Sequence, residues 1–407
     1  MRLPLVLILS TSIAVALANA ATINVPAEQP TIQDGINAAS KGDKVLVAPG
    51  TYEENINFSG KQITVTSSAG PGTTIIDGGQ VAPVATFSNG EGPKSILSRF
   101  TLQNGASTFD TQYAGGGVYI DGASPTIANN IIENNVACSD GGGIGVSFGS
   151  PIIKDNTIKN NSQSGCEGGP GGGGIALLGA GSAQIIGNKI ENNVWPSNGG
   201  GITLFAAGTP TLMNNIITDN SSGGGQGGGI WIVNDSEAVI VQNLFYGNTG
   251  SLGAAIYLSI PDIPAIILVN NTIIGTAGAT QGSAVWAGGF DGNVEFFNNL
   301  MIGLSGQNAV YCDDTYSTQP PTFTNNDAYS PEGSGLEGTC ASESSVNGNI
   351  SSDPLFVNPK HNKYQLQSGS PAINTGDFSA PDLPKKDLAG KPRTVDSTVD
   401  MGAYESQ

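Results

Sequence analysis

Short runs in which apolar and polar residues alternate fill the middle of the chain, as in Ile230-Trp231-Ile232 and Ile256-Tyr257-Leu258. A period of two over three or four residues predicts strands, and the runs are too short for helices. The runs also recur. Aligned on the second residue of each Asn-Asn pair or its equivalent, the chain gives Asn130, Asn156, Asn188, Asn215, Asn243, Asn271, Asn299 and Asn326, with steps of 26, 32, 27, 28, 28, 28 and 27. The residue after each Gly-rich run gives a second series of similar period: Val118, Ile144, Ile175, Ile202, Ile230, Ile256, Val285 and Val310. An apolar column precedes each Asn (Ile127, Ile153, Ile185, Leu212, Ile240, Leu268, Phe296, Phe323), and another follows it (Ile132, Ile158, Ile190, Ile217, Phe245, Ile273, Met301, Ala328). Three strands per repeat, each turning apolar side chains inward, stack into a prism with a continuous core. The predicted fold is an all-β, right-handed parallel β-helix.

The polar repeat positions also have structural reasons. An Asn amide at a bend can bond to the Asn above and below it, satisfying turn backbone groups that would otherwise be buried unpaired. Glycines relieve the crowded or left-handed backbone at the other corner. Runs such as Gly171 to Gly174 are scaffold rather than phosphate loops, because no Gly-Lys-Ser/Thr and no helix follow them. Solenoid ends need caps. At the front, Thr31 is placed to N-cap a short helix with Ile32, Ile36 and Ala39 on one face. From Asp353 the repeat is lost, predicting an irregular C-terminal cap in which Arg393 pairs with carboxylates such as Asp387, Asp400 or Glu405. The expected division is residues 1–20 as signal peptide, 21–350 as β-helix with its N-terminal cap, and 351–407 as capping tail.

Composition narrows the partners. A formal net charge of −18 and a pI near 4.2 argue against nucleic acid or an anionic membrane. Arg2, the apolar run Leu3 to Leu17 and Ala18-Asn19-Ala20 read as a cleavable export signal, and no later segment is long and apolar enough to span a bilayer. An exported monomer is expected, extracellular or periplasmic, or held at the surface by a partner. Its four cysteines suggest two disulfides, Cys138 with Cys166 and Cys312 with Cys340, each pair 28 residues apart and therefore one coil apart. Free thiols or metal ligands are the alternatives.

Candidate chemistry lies on the outward positions. After each Gly-rich marker come Tyr119, Gly145, Ala176, Thr203, Trp231, Tyr257, Trp286 and Tyr311. Trp231, Tyr257, Trp286 and Tyr311 would stack over four rungs, roughly 14 Å at strand spacing, and flat aromatics in a row suit the apolar faces of sugar rings. The competing reading is that loops or the tail bury this strip as a satellite core. A second outward column, Glu133, Lys159, Glu191, Thr218 and Tyr246, begins with alternating charges that suit stacked ion pairs. As catalytic bases the candidates are Lys159, Lys154 and Arg99, with Lys189 also in the central coils. As metal ligands they are the loop carboxylates Asp140, Glu167, Asp313 and Asp314, for which Ca²⁺ is the fitting ion. His361 is read as a solvated tail residue.

The segment Pro30-Thr31-Ile32-Gln33 … Val47-Ala48-Pro49-Gly50-Thr51-Tyr52-Glu53-Glu54 resembles the opening of pectin-lyase-like right-handed β-helix proteins, and the repeats resemble their parallel β-helix repeats. The stretches Tyr364-Gln365-Leu366, Ser370 to Gly376, Asp387 to Arg393 and Asp400 to Glu405 resemble the choice-of-anchor tail of exported bacterial β-helix proteins. Together they cover nearly the whole chain after the signal. The resemblance implies an outer face that engages polysaccharide and, among the superfamily's activities, Ca²⁺-assisted β-elimination in which a Lys or Arg takes the C5 proton of a uronate. The Asn-Thr-Asp, Asp-Asp and Gly-His-Gly set of polygalacturonases, with its Arg-Ile-Lys, is not found, and likeness to pectin esterases stops at Pro49-Gly50-Thr51-Tyr52. Two expectations stand: an exported β-helix that engages extracellular or cell-wall polysaccharide, as a pectate-lyase-like polysaccharide lyase if it is an enzyme, or a non-catalytic surface or adhesin-type scaffold.

Overall fold

Each strand pairs in parallel with its equivalent one coil on, so Ile127, Ile153, Ile185, Leu212 and Ile240 lie directly over one another. The computed structural model describes residues 20–107, 115–163, 165, 169–179, 181–260, 265–288, 293–395 and 398–406. The signal segment therefore lies almost wholly outside the described residues. In a typical coil Val118–Asp121 joins a first sheet, Thr126–Ala128 a second and Ile131–Glu133 a third. Among the described residues these sheets hold 11, 12 and 11 strands. The columns predicted to face inward are all buried and merge into one core along the axis. At the front, the helix Ile32–Ala38 covers that core with Ile32 and Ile36. Thr31 caps it by accepting the Asp34 N–H at 3.0 Å, and Glu54 accepts the N–H groups of Ile32 and Gln33, both at 2.9 Å.

Asparagine secures the corner between the second and third sheets. Asn188 donates both its backbone N–H and its side-chain Nδ2 to Oδ1 of Asn215, at 2.9 and 3.1 Å, and the same Nδ2 donates to the Ile153 carbonyl at 2.8 Å. The pattern runs through all eight predicted asparagines and continues to Asn349. A second ladder follows the third sheet: Asn135, Asn161, Asn193, Asn220 and Asn248, joined at 3.0 to 3.1 Å. Its trace in the sequence is a second pair five residues after the first, as in Asn134-Asn135 and Asn160-Asn161. The residue before each ladder Asn bends left-handed, as at Asn129 (φ 57°) and Asn160 (φ 55°), where asparagine is tolerated better than most residues.

The C-terminal tail does more than close an end, because it runs back along the flank. Phe356, Tyr364, Ala372 and Met401 pack on Leu244 and Leu300 of the third sheet, while Ala380 meets Val241 and Val269 of the second. The outward corner amides hold it there. Asn270 Nδ2 donates to the Asp400 and Gly402 carbonyls at 2.9 and 3.1 Å, Asn298 exchanges bonds with Asp377, and Asn325 donates to the Thr375 carbonyl. Arg393, fully buried, donates to Gln242 Oε1 from Nε and Nη2, to the carbonyls of Gly402 and Ala403, and pairs with Glu405 at 3.3 Å. Of the three carboxylates expected around Arg393, Glu405 makes the ion pair. Asp387 and Asp400 instead accept backbone N–H groups of the tail.

An alanine at Asn215 would strand the Asn188 N–H inside the corner and take the amide partner from the Asn188 side chain and the Ile185 carbonyl. Unsatisfied buried groups cost about 1–3 kcal/mol each. Asn215→Ala is therefore expected to lower unfolding stability by about 2–4 kcal/mol, read from the denaturation midpoint at unchanged slope. An unshifted midpoint would contradict the role given to the ladder.

Candidate functional site

With two sheets partly covered by the tail, the first sheet keeps the longest aromatic face. Its strands turn their second and fourth residues outward, and the register places Thr203, Trp231, Tyr257, Trp286 and Tyr311 in line across successive rungs. The stack is part core and part surface. Tyr257 and Trp286, only 7% and 6% exposed, lie with rings 4.5 Å apart and 4° from parallel, in a satellite cluster with Val233. Trp286 extends over Gly288, where a Cβ would come within 2.7 Å of its ring. Burial raises the Tyr257 phenol, and the charges of Tyr316 and Asp313 add to the rise. For these two rings the satellite-core reading therefore applies, whereas Trp231 and Tyr311 are half-buried at the ends of the cluster.

Phe205 extends the line by one rung, stacked on Trp231 with centroids 6.4 Å apart, and Trp231 Nε1 donates to Gln226 Oε1 at 3.1 Å. Sequence reasoning passed over Phe205 because it occupies the fourth strand position rather than the second. Toward the front, the second-position column is covered. Thr203 Oγ1 donates to the Gly171 carbonyl, and the buried Trp195 ring lies so close to Gly171 that a Cβ there would approach within 2.1 Å. The fourth-position column stays open there, in a groove of about 420 Å³ lined by Ser147, Phe148, Pro170, Leu178, Gly179, Phe205 and Ala206.

The base candidates lie on other faces. Lys159 is on the third sheet, 3.0 Å from Glu133, and Lys189 pairs with Glu191 on its own strand at 2.6 Å. Lys154 ends a second-sheet strand, while Arg99 sits at the next corner with Nε donating to the Ser67 carbonyl. The metal candidates do not converge either. Asp140 precedes the strand Ile144–Ser147 and Asp313 follows Val310–Cys312, six rungs on, roughly 29 Å at strand spacing. Asp313 Oδ1 accepts the Thr315 N–H at 2.8 Å. Glu167 and Cys166 lie outside the described residues. Among the described residues no three His, Cys, Asp or Glu side chains gather as a metal site, so the described donors do not fit the six or more oxygens Ca²⁺ takes. The Cys312–Cys340 disulfide forms as expected, with Cα atoms 5.6 Å apart across adjacent coils.

Asp140 is buried, with neither carboxylate oxygen hydrogen-bonded, and burial pushes it up to about 7. The neighbouring Tyr119 phenol is pushed up to about 12, by burial first and then by Asp121 and Asp140. Asp327, beneath the tail, also rises to about 7 through burial, although its Oδ1 accepts the Ser352 N–H.

Residues 167–301 match the family model described as a right handed beta helix region. No curated protein matches the sequence. Among solved structures, the chain is similar to the pectate lyase Pel9A, at 17% identity over 92% of this chain and 90% of that one, with a TM-score of 0.42. It is also similar to a mannuronic acid specific polysaccharide family 6 lyase from human gut microbiota, at 14% identity over 78% and 82%, with a TM-score of 0.35. A pectin methylesterase in complex with a hexasaccharide is similar at 10% identity over 81% and 96%, with a TM-score of 0.28. The coil register and the matched region define the class: a right-handed parallel β-helix.

The position of Asp140 sets a pH dependence. A carboxyl whose pKa is raised on folding favours the fold fully below its unfolded value near 3.8, and that contribution is lost as pH rises to about 7. Asp140→Asn is thus expected to raise the melting temperature at pH 8 by more than at pH 4. Equal shifts at the two pH values, measured by thermal unfolding, would mean that Asp140 ionises freely in the fold.

Proposed function

We propose that this protein is an exported β-helix that binds extracellular or cell-wall polysaccharide along the outer face of its first sheet. The observation that carries this reading is the line Phe205, Trp231, Tyr257, Trp286 and Tyr311 over five consecutive rungs, roughly 19 Å long at strand spacing. Tyr257 and Trp286 brace it from within, and Phe205, Trp231 and Tyr311 offer their open parts to a chain lying along the helix axis. Export is supported by the leading signal pattern and by the Cys312–Cys340 disulfide, which suits an oxidising compartment.

Binding without cleavage is the form this geometry favours. Lys154, Lys159 and Arg99 lie off the aromatic face, and Lys159 is engaged in an ion pair with Glu133 at 3.0 Å. Trp231→Ala and Tyr311→Ala are each expected to weaken polysaccharide binding at least about fivefold while leaving the fold intact. Affinity electrophoresis on a glycan panel measures this, and undiminished retention of both variants would rule out the aromatic face. Incubation with the same panel, with Ca²⁺ or chelator, should yield neither unsaturated uronates nor new reducing ends. Either product would restore the lyase reading.

A further inference from the structure

We infer that the groove beside Phe148 is a subsite for a ring of a neutral glycan, a reading that rests on the polysaccharide binding proposed above. The residue that follows each of five consecutive first-sheet strands turns the corner with positive φ: Gly122 (58°), Phe148 (54°), Gly179 (84°), Ala206 (48°) and Asn234 (53°). Glycine and asparagine accept this conformation readily, whereas a bulky aromatic does not. Phe148 is also 70% exposed. One residue thus carries backbone strain and an apolar ring in water together, and strain of this kind concentrates at ligand sites.

The surroundings are shaped to hold that ring. Phe148 lies over the next corner, where Gly179 leaves room: a Cβ there would come within 2.6 Å of the ring. Pro170, Leu178, Phe205 and Ala206 complete the apolar walls, and through Phe205 the groove runs on to Trp231. Its volume of about 420 Å³ falls within the roughly 300–1,000 Å³ of small-ligand sites. Ser147 also lines it, and its buried hydroxyl has no hydrogen-bond partner. Buried polar groups are rarely left so, and a sugar hydroxyl would supply the bond. Apolar faces with one convergent polar group suit a pyranose ring.

Charge selects among glycans. Every described residue lining the groove is uncharged. From residue 190 to 359, a stretch that includes Phe205 and the whole aromatic line, there is no Lys, Arg or His, and the charged residues next to the first-sheet strands there are carboxylates such as Asp235, Asp313, Asp314 and Glu337. A uronate chain would meet like charge with no cation to pair with. A neutral chain would not.

The test is calorimetric titration of the full chain with β-1,4-linked glucose and mannose hexamers and with hexagalacturonate, at low and moderate salt. Binding of a neutral hexamer, little affected by salt, is expected. Phe148→Asn removes the ring while suiting the left-handed corner, so it should fold at least as stably and still bind about tenfold more weakly. Phe205→Ala should lose a similar factor, and Phe378→Ala, which removes an exposed tail aromatic, should lose none. Neutral binding that survives both Phe148→Asn and Phe205→Ala would overturn the subsite and leave the wider proposal standing, as would preference for hexagalacturonate. Binding of no hexamer at all would overturn both.

Discussion

Parallel stacking in strict register is possible only if the corners can be stacked too. At every corner the chain leaves backbone groups that no strand can pair, and repetition places them one above another inside the molecule, away from water. Asparagine resolves this because one amide carries a donor and an acceptor on a short stem. Its Oδ1 takes the N–H groups of the coil before it, and its Nδ2 reaches the coil after it and a strand carbonyl. Two such ladders hold two corners, and the glycine and asparagine left-handed bends beside them set the turn angle.

Register turns a position in the repeat into a column on the surface, so each face can be composed separately. The third sheet shows this. Its outward column begins with Glu133, Lys159 and Glu191, which are solvated and partly ion-paired, and becomes apolar from Leu244 and Tyr246 onward, where the tail lies on it. Corner amides that face outward, Gln242, Asn270, Asn298 and Asn325, bond to the tail much as the inward ones bond to each other. The buried Arg393 ties the tail's own loops to Gln242, so removing its charge would leave Glu405, Asp387 and Asp400 close together without a cation.

The first sheet, by contrast, carries rings that are neither fully in the core nor free of it. A stacked and buried Tyr257–Trp286 pair stiffens the middle of the face, and the half-buried rings at either end, with Phe148 and Phe205 beyond, give it an apolar border. A rigid aromatic surface of this kind has little side-chain freedom left to lose, which is what the binding proposed for it would require. The absence of cationic side chains along residues 190–359 is a property of this sequence that the fold does not require.

Much of this was legible in the chain itself. The spacing of Asn130 to Asn326, the alternation in each run and the 28-residue interval between Cys312 and Cys340 determined the coil, the register and the inward columns, because each is a local property repeated until neighbours must coincide. Period also placed Trp231, Tyr257, Trp286 and Tyr311 in one line. It did not say which rings stay open, since that depends on segments outside the strands: Leu252 of the preceding loop packs in the cluster of Tyr257 and Trp286, and the Gly171 loop covers Thr203. Nor could it show that Lys154, Lys159 and Arg99 lie off the aromatic face, that the tail folds back along the flank, or that Phe148 stands strained over Gly179. Repetition encodes the backbone path locally, whereas cover, exposure and strain arise between segments with no common period, and only the folded chain brings those together.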